Sequence, residues 1–155
     1  MRAPLEVRFE RLRKLIDRLS YESEKGGVIV VEGIRDRDSL RKIGITGRIL
    51  CLQSSRKNTL GFVEELQGVS EVIVLTDFDR EGTFLARRLA RILNAEGMRS
   101  NLILWRDLRR LARSDIRSIE ELPKYYQRLQ VKQLFNLPSR SKQPREEATR
   151  LESIR

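Results

Sequence analysis

The chain has 155 residues, of which 39% are hydrophobic, and a single cysteine, Cys51; one globular domain without an internal disulfide is predicted. It contains no histidine, which excludes histidine-ligated zinc or haem and catalysis by Ser-His-Asp or Cys-His groups within this chain. The net charge is +10, with 25 arginines and 7 lysines. This balance favours a phosphate-rich partner, because the guanidinium group forms bidentate contacts with phosphate; an ordinary solvated surface is the alternative.

Helical and strand patterns alternate along the sequence. Apolar residues at helical spacing over 5–19 predict an amphipathic helix. Continuous apolar runs at 28–31 and 72–75 predict strands buried on both faces, and two further strands are predicted at 48–52 and 101–105. Helices are predicted at 36–43, from 58 or 59 to 67, at 82–96 and at 108–131, the last interrupted near Pro123. From residue 136 onward we expect a polar tail or a weak helix.

This alternation predicts an α/β fold with an open, mostly parallel sheet of four strands, helices on both faces and flanking terminal helices. The expected strand order is 2-1-3-4, because the first and third strands are the most apolar and belong in the centre. The amino-terminal helix would occupy residues 1–26, the α/β core 27–111, and a helical extension with its tail 112–155. No apolar run approaches the ~18 residues that a membrane span needs, and residues 1–20 are too charged for a secretory signal, so we expect a cytoplasmic protein without a membrane partner.

Three acidic residues follow the two central strands. Glu32 comes directly after the first strand, and Asp77 and Asp79 come after the third. In the order 2-1-3-4 these strands are neighbours, and ligands of open α/β sheets bind at the carboxyl ends of such strands. Oxygen ligands suit Mg²⁺ or Mn²⁺, so one or two such ions are predicted here. Asp36 and Glu81 are additional candidate ligands, although Asp36, Asp79 and Glu81 would also suit helix capping.

Glycines and basic residues near these acids are candidates for contact with a nucleic-acid backbone. Glycine lets a backbone approach a ligand closely, and a helix amino terminus offers free N–H groups to phosphate. Residues 87–113 hold eight arginines and two acids, a net charge of +6. Their alternative role is ion pairing with Glu96, Asp107 and other surface acids. The candidates are Gly33, Arg56, Lys57, Arg80, Gly82, Arg87 and Arg91.

The strand at 28–31 leading into Glu32-Gly33, and the later segment Asp77-Phe78-Asp79-Arg80-Glu81-Gly82, resemble the Toprim domain. That domain is shared by topoisomerases, bacterial primases, RecR-like repair proteins and nucleases that mature ribosomal RNA. The resemblance covers about residues 27–111. It implies that Glu32 is a general acid/base and metal ligand, and that Asp77 and Asp79 hold magnesium. Asp36 matches an acid found in the family's primases and small nucleases.

The chain departs from the larger members of that family. Its three tyrosines lie outside the predicted core, and nothing resembles the second domain of a topoisomerase. One cysteine without histidine cannot build the zinc module of a bacterial primase. The sequence therefore resembles a small stand-alone Toprim protein, nearest in type to the ribosomal-RNA maturation nucleases.

Three functional hypotheses follow. The first is a metal-dependent nuclease acting on RNA or DNA, in which Glu32 moves the proton. The second is a non-catalytic nucleic-acid-binding module or accessory subunit of a larger processing complex. The third is a phosphohydrolase that forms an aspartyl-phosphate on the Asp77-x-Asp79 pair, which the upstream Glu32 strand argues against. A P-loop enzyme is disfavoured because the Gly-x-x-x-x-Gly-Lys-Ser/Thr motif is absent.

Overall fold

The computed structural model describes residues 3–53 and 59–136. Within these residues, four strands and six α-helices follow one another in the alternation that the sequence predicts. The strands are β1 (Val28–Val31), β2 (Ile49–Cys51), β3 (Val72–Val74) and β4 (Ser100–Asn101). The helices are α1 (Leu5–Glu24), α2 (Ile34–Lys42), α3 (Thr59–Glu65), α4 (Arg80–Ala95), α5 (Ile103–Ala112) and α6 (Leu122–Asn136), with a 3₁₀ turn at Ile119–Glu121.

The sheet is parallel throughout and has the order β2-β1-β3-β4, which confirms the predicted topology. Val30 of β1 pairs with Leu50 on one side and with Val74 on the other. Every residue of β1 and β3 is buried, as expected for central strands covered on both faces. The chain reverses its direction across the sheet between these two strands, so a crevice opens at their carboxyl ends.

The helices cover both faces of this sheet. Connections between parallel strands are right-handed, so the crossover from β1 to β2 places α2 on one face. The crossovers that return through β3 to β4 place α3 and α4 on the other. α6 packs against α1 and α2, and α1 also packs against α5. Leu12 and Leu19 of α1 and Tyr125 of α6 belong to the same buried cluster as the strands.

The fourth predicted strand is wrong over most of its length. Strand β4 ends at Asn101, and Trp105 lies in α5 rather than at a strand end. Leu104, Trp105 and Leu108 are buried while Ile103 is exposed, which is the pattern of one helix face. The Asn101 side chain accepts a hydrogen bond of 2.9 Å from the N–H of Ile103, the first residue of α5. A short apolar run cannot by itself distinguish a strand from a buried helix.

The interruption of the carboxy-terminal helical region lies earlier in the chain than predicted. The helices break between residues 113 and 118, whereas Pro123 lies in the first turn of α6, where proline needs no hydrogen-bond donor. The other predicted boundaries differ by a few residues, as helix ends commonly do. The predicted tail beyond residue 136 lies outside the described residues. Across the two described segments, no helix has both the length and the apolarity to cross a membrane.

Candidate functional site

A cleft of about 530 Å³ opens at the carboxyl ends of β1 and β3. The predicted ligands Glu32, Asp77 and Asp79 all line it, so the structure places the three acids at one cleft. The additional candidates Asp36 and Glu81 and the predicted Gly33 also contribute to its wall. The sequence interpretation missed the other lining residues, which are Ile34, Arg35, Gln53, Ser118 and Glu120. We call this site the carboxylate cleft.

Asp77 connects the two central strands with the 3₁₀ turn. Its backbone N–H donates a hydrogen bond of 2.9 Å to Oε2 of Glu32. Its own Oδ1 accepts a hydrogen bond of 3.0 Å from the N–H of Ile119. The neighbouring Phe78 N–H donates to the carbonyl of Arg117 at 2.7 Å. The segment after β3 is therefore held from both sides of the carboxylate cleft.

Asp79 is the N-cap of α4, since its Oδ1 accepts a hydrogen bond of 2.7 Å from the N–H of Gly82. The alternative prediction, that Asp79 caps a helix, is therefore correct. Oδ2 of Asp79 takes no part in this hydrogen bond. A Cβ on Gly82 would lie 2.0 Å from the carbonyl oxygen of Asp77. Glycine is required here because the first turn of α4 packs directly on the Asp77 backbone. The Gly82 N–H, which the sequence suggests as a contact for phosphate, already donates its hydrogen bond to the Asp79 side chain.

Three further residues fix the turn between β3 and α4. The buried hydroxyl of Thr76 donates to the carbonyl of Gly82 at 2.7 Å. Trp105, which is only 4% exposed, donates its indole N–H to the carbonyl of Thr76 at 2.9 Å. Arg109 donates from Nε to the carbonyl of Phe78 at 3.2 Å. Trp105 is a core residue, and α5 acts as the outer support of the acid-bearing turn.

Asp36 lies in the first turn of α2, where its Oδ2 accepts a hydrogen bond of 3.1 Å from the N–H of Gly33. This contact caps the helix, which is the alternative considered for Asp36, while the side chain also borders the carboxylate cleft. Gly33 is buried, and a Cβ there would lie 2.8 Å from Oε1 of Gln53. The missing side chain of Gly33 therefore makes room for Gln53 at the wall of the cleft.

The acids in the cleft perturb one another. Burial raises the pKa of Glu32 to about 7, and the adjacent Asp77 carboxyl adds to this against the opposing hydrogen bond from the Asp77 N–H. Burial, followed by the charge of Asp77, raises the pKa of Asp36 to about 6. Burial and mutual repulsion disfavour the charged forms of these carboxyls, and a nearby cation would stabilise the charged forms. The electrostatics of the cleft therefore favour positive charge.

The donor set of the cleft consists of oxygen atoms, which fits Mg²⁺ or Mn²⁺ and not a soft metal. Glu32, Asp77 and Asp79 each commit one carboxylate oxygen to a backbone N–H and keep the second oxygen for other contacts. Among residues 3–53 and 59–136, no three acids lie close enough together to form a ready metal-binding group. These residues fit a hard divalent ion by the chemistry of their oxygen atoms and by their shared cleft.

A second cleft, of about 1010 Å³, runs between α4 and α5 next to the first. We call it the arginine groove. No acidic residue lines this groove. Its five arginines are the predicted phosphate-binding residues of α4, Arg80, Arg87 and Arg91, and two residues of α5, Arg106 and Arg109. Glu96 and Asp107 do not pair with these arginines within the described segments, so the ion-pair alternative finds no support there. Arg56 and Lys57 lie outside the described residues.

Comparisons with known proteins agree with this geometry. The family model of the Toprim domain matches residues 27–104. A UPF0292 protein of Methanosarcina barkeri is 33% identical over 126 residues, covering 81% of this chain and 87% of that protein. A UPF0292 protein of Pyrococcus horikoshii is 36% identical over 124 residues, covering 80% and 90%. The solved structure of a putative protein from Aquifex aeolicus superposes with a TM-score of 0.61 at 28% identity, covering 70% of this chain and 95% of that one.

Proposed function

The chain belongs to the Toprim family, and on that premise we propose that it is a small nuclease that uses Mg²⁺ or Mn²⁺ to cleave the phosphodiester backbone of RNA or DNA. Membership of this family indicates a metal-dependent function related to nucleic acid. The observation that carries the finer proposal is the position of the carboxylate cleft directly beside an arginine groove without acids. A negatively charged polymer held by the groove would meet the acids at its end. The proposal places this reaction in the cytoplasm.

Glu32, Asp77 and Asp79 would hold one or two of these ions in the carboxylate cleft. When bound, the metal supplies charge neutralisation at the scissile phosphate and orients water. Glu32 is half-buried and its Oε2 is engaged by the Asp77 N–H, which leaves Oε1 to hold or move the proton. Arg80, the residue after Asp79, would contact a neighbouring phosphate from the mouth of the arginine groove.

Three residues near the cleft support this arrangement without contacting substrate. Thr76, Gly82 and Trp105 fix the turn that carries Asp77 and Asp79. Such bracing holds charged groups in position before the substrate arrives, which is the main way in which electrostatic catalysis is achieved. Arg35, exposed on α2 and 3.8 Å from Glu120, borders the same cleft and would meet an approaching phosphate.

A cleavage assay with purified protein tests the proposal. Labelled single-stranded and structured RNA and DNA are incubated with Mg²⁺, Mn²⁺ or EDTA, and products are separated by electrophoresis. We expect cleavage with metal and none with EDTA. The variant D77N, purified in the same way, controls for contaminating nucleases, since a contaminant would remain active in both preparations.

The second candidate is a non-catalytic Toprim module that binds nucleic acid alone or within a larger processing complex. The observation in its favour is that each of the three acids already accepts a backbone hydrogen bond, and that no ready group of three acids is present in the described segments. The arginine groove would serve this function unaided. Binding without turnover under every metal condition would select this candidate.

A further inference from the structure

The arginine groove carries exposed apolar side chains as well as cations. Phe84 of α4 is 64% exposed and Ile103 of α5 is 55% exposed, and both line the groove. A single exposed apolar residue is ordinary on a protein surface. Two in one cleft, among five arginines and no acid, indicate a ligand that offers both negative charge and apolar faces.

The spacing on α4 places the two kinds of side chain along one line. Arg80, Phe84, Arg87 and Arg91 follow one another at intervals of four, three and four residues, which puts them on the same side of the helix. Phe84 therefore stands between two arginines. At about 1.5 Å per residue the row is roughly 16 Å long, enough for a few nucleotides.

The mixture of arginines and exposed apolar side chains in the groove favours a single strand over a duplex as its ligand. A duplex presents phosphates and sugars on its outside, with its bases stacked and paired within, so Phe84 and Ile103 would face hydrated phosphates without gain. A single strand exposes the faces of its bases, and aromatic side chains stack on them whatever the sequence. Arginine adds phosphate contacts and stacking of its own.

We propose that the arginine groove binds single-stranded nucleic acid, with Phe84 stacking on a base, Ile103 packing against a neighbouring one, and the arginines holding the phosphates between them. The same strand would enter the carboxylate cleft, because Asp79 lines that cleft and the next residue, Arg80, lines the groove. Arg109 lines the groove and also contacts the Phe78 carbonyl beside the acids. The step from binding to cleavage rests on the proposed function; the binding itself does not.

Fluorescence anisotropy in EDTA tests the binding without metal or turnover. The probes are a labelled oligothymidylate, an oligouridylate and a blunt duplex of the same length, each about twelve units long, within the usual range for a single-strand site. We expect both single strands to bind at least roughly tenfold more tightly than the duplex at equal salt. The comparison of the two single strands separates DNA from RNA as the preferred source of the same chemistry.

Two matched pairs of variants locate the site. Phe84→Ala should weaken single-strand binding by between about five-fold and a hundred-fold, as loss of a stacked aromatic does, and Phe84→Trp should retain it. Phe135→Ala is its control, because Phe135 is 84% exposed at the end of α6 and lies outside the groove lining. Arg87→Ala should reduce the slope of log affinity against log salt by about 0.7, one contact on a single strand. The neighbouring Arg88, exposed but not part of the lining, is its control.

The outcomes separate this inference from the proposed function. Equal or tighter binding of the duplex, or a Phe84→Ala variant with wild-type affinity and an unchanged melting curve, would overturn the groove as a single-strand site even if the protein cleaves nucleic acid. Phe84-dependent binding of single strands without cleavage in any metal would support the groove and reject the nuclease. Circular dichroism melting of each variant ensures that a loss of affinity is not a loss of folding.

Discussion

The backbone N–H of Asp77 donates a hydrogen bond of 2.9 Å to the carboxylate of Glu32. Forty-five residues separate the two in sequence, yet both lie where a central strand of the sheet ends. The contact holds Glu32 beside a second acid. It also opposes the rise in the pKa of Glu32 that burial causes. Most of the following predictions test what this pair and its supports do.

Asp77→Asn should abolish tight binding of Mn²⁺ while preserving the fold. Asparagine keeps the oxygen that accepts the hydrogen bond from the Ile119 N–H, but it removes a charged ligand. Without metal the variant should melt at a higher temperature near neutral pH, because one source of repulsion on Glu32 is gone. Isothermal titration calorimetry measures the binding. Asp17→Asn, on an exposed side chain of α1, is the control, and unchanged Mn²⁺ affinity in Asp77→Asn would exclude Asp77 as a ligand.

The stability of the metal-free protein should fall as the pH rises toward neutrality. Burial and Asp77 raise the pKa of Glu32 from 4.5 to about 7, so the folded state binds a proton in this range that the unfolded state has released. The contribution to stability is therefore complete at low pH and is lost between about pH 4.5 and pH 7. Urea denaturation in EDTA at several pH values measures the slope.

Glu32→Gln should flatten this pH dependence, because glutamine does not titrate. Some dependence should remain, since burial and Asp77 also raise the pKa of Asp36 to about 6. A wild-type protein whose stability rises across the same pH range would show that Glu32 is not held in a raised-pKa environment.

Gly82→Ala should both destabilise the protein and weaken metal binding. The added Cβ would meet the Asp77 carbonyl at 2.0 Å, which forces a backbone shift that costs about 1–3 kcal/mol and displaces Asp77. Gly44→Ala is the matched control. Gly44 has a φ of +95° and open space around its Cβ position, so alanine should cost roughly 1 kcal/mol through backbone strain alone. If both variants bind Mn²⁺ like the wild type, the turn does not position the acids.

Trp105→Phe should cost about 1–3 kcal/mol in unfolding free energy, because it removes the indole N–H that bonds the buried carbonyl of Thr76. Phenylalanine retains much of the apolar contact, so the loss reports mainly on that hydrogen bond. Urea denaturation gives the value. A change within experimental error would mean that α5 does not brace the acid-bearing turn through this contact.

The sequence predicted the sheet and its acids because both depend on local patterns. Two continuous apolar runs mark the central strands, and acids that closely follow these runs must reach the shared edge of a parallel sheet. Glu32, Asp77 and Asp79 are predicted to share one cleft for that reason, and all three line it. The error at 101–105 arose because Leu104 and Trp105 are apolar in either a strand or a buried helix, and only packing against the sheet decides between them.

The remaining parts of the site depend on long-range packing. Gln53 and Glu120 reach the carboxylate cleft from a loop and a 3₁₀ turn that no pattern near the acids indicates. Phe84 is not among the predicted site residues, because its helical spacing with Arg80 and Arg87 does not by itself show that these side chains line a groove. The sequence predicts helix capping and metal binding as alternatives for Asp79, whereas the structure shows that Asp79 caps α4 and also lines the cleft.

The measurement that tests the central claim most directly compares metal-dependent cleavage by the wild type and by Glu32→Gln. Glutamine keeps the size of the side chain and one oxygen, but it cannot take up a proton. We predict that the wild type cleaves RNA or DNA with Mn²⁺, and that the variant binds the same substrate while its turnover falls by roughly 10²- to 10⁴-fold. Wild-type turnover in Glu32→Gln, or no cleavage by the wild type on any single-stranded or structured substrate with Mn²⁺, would contradict the account.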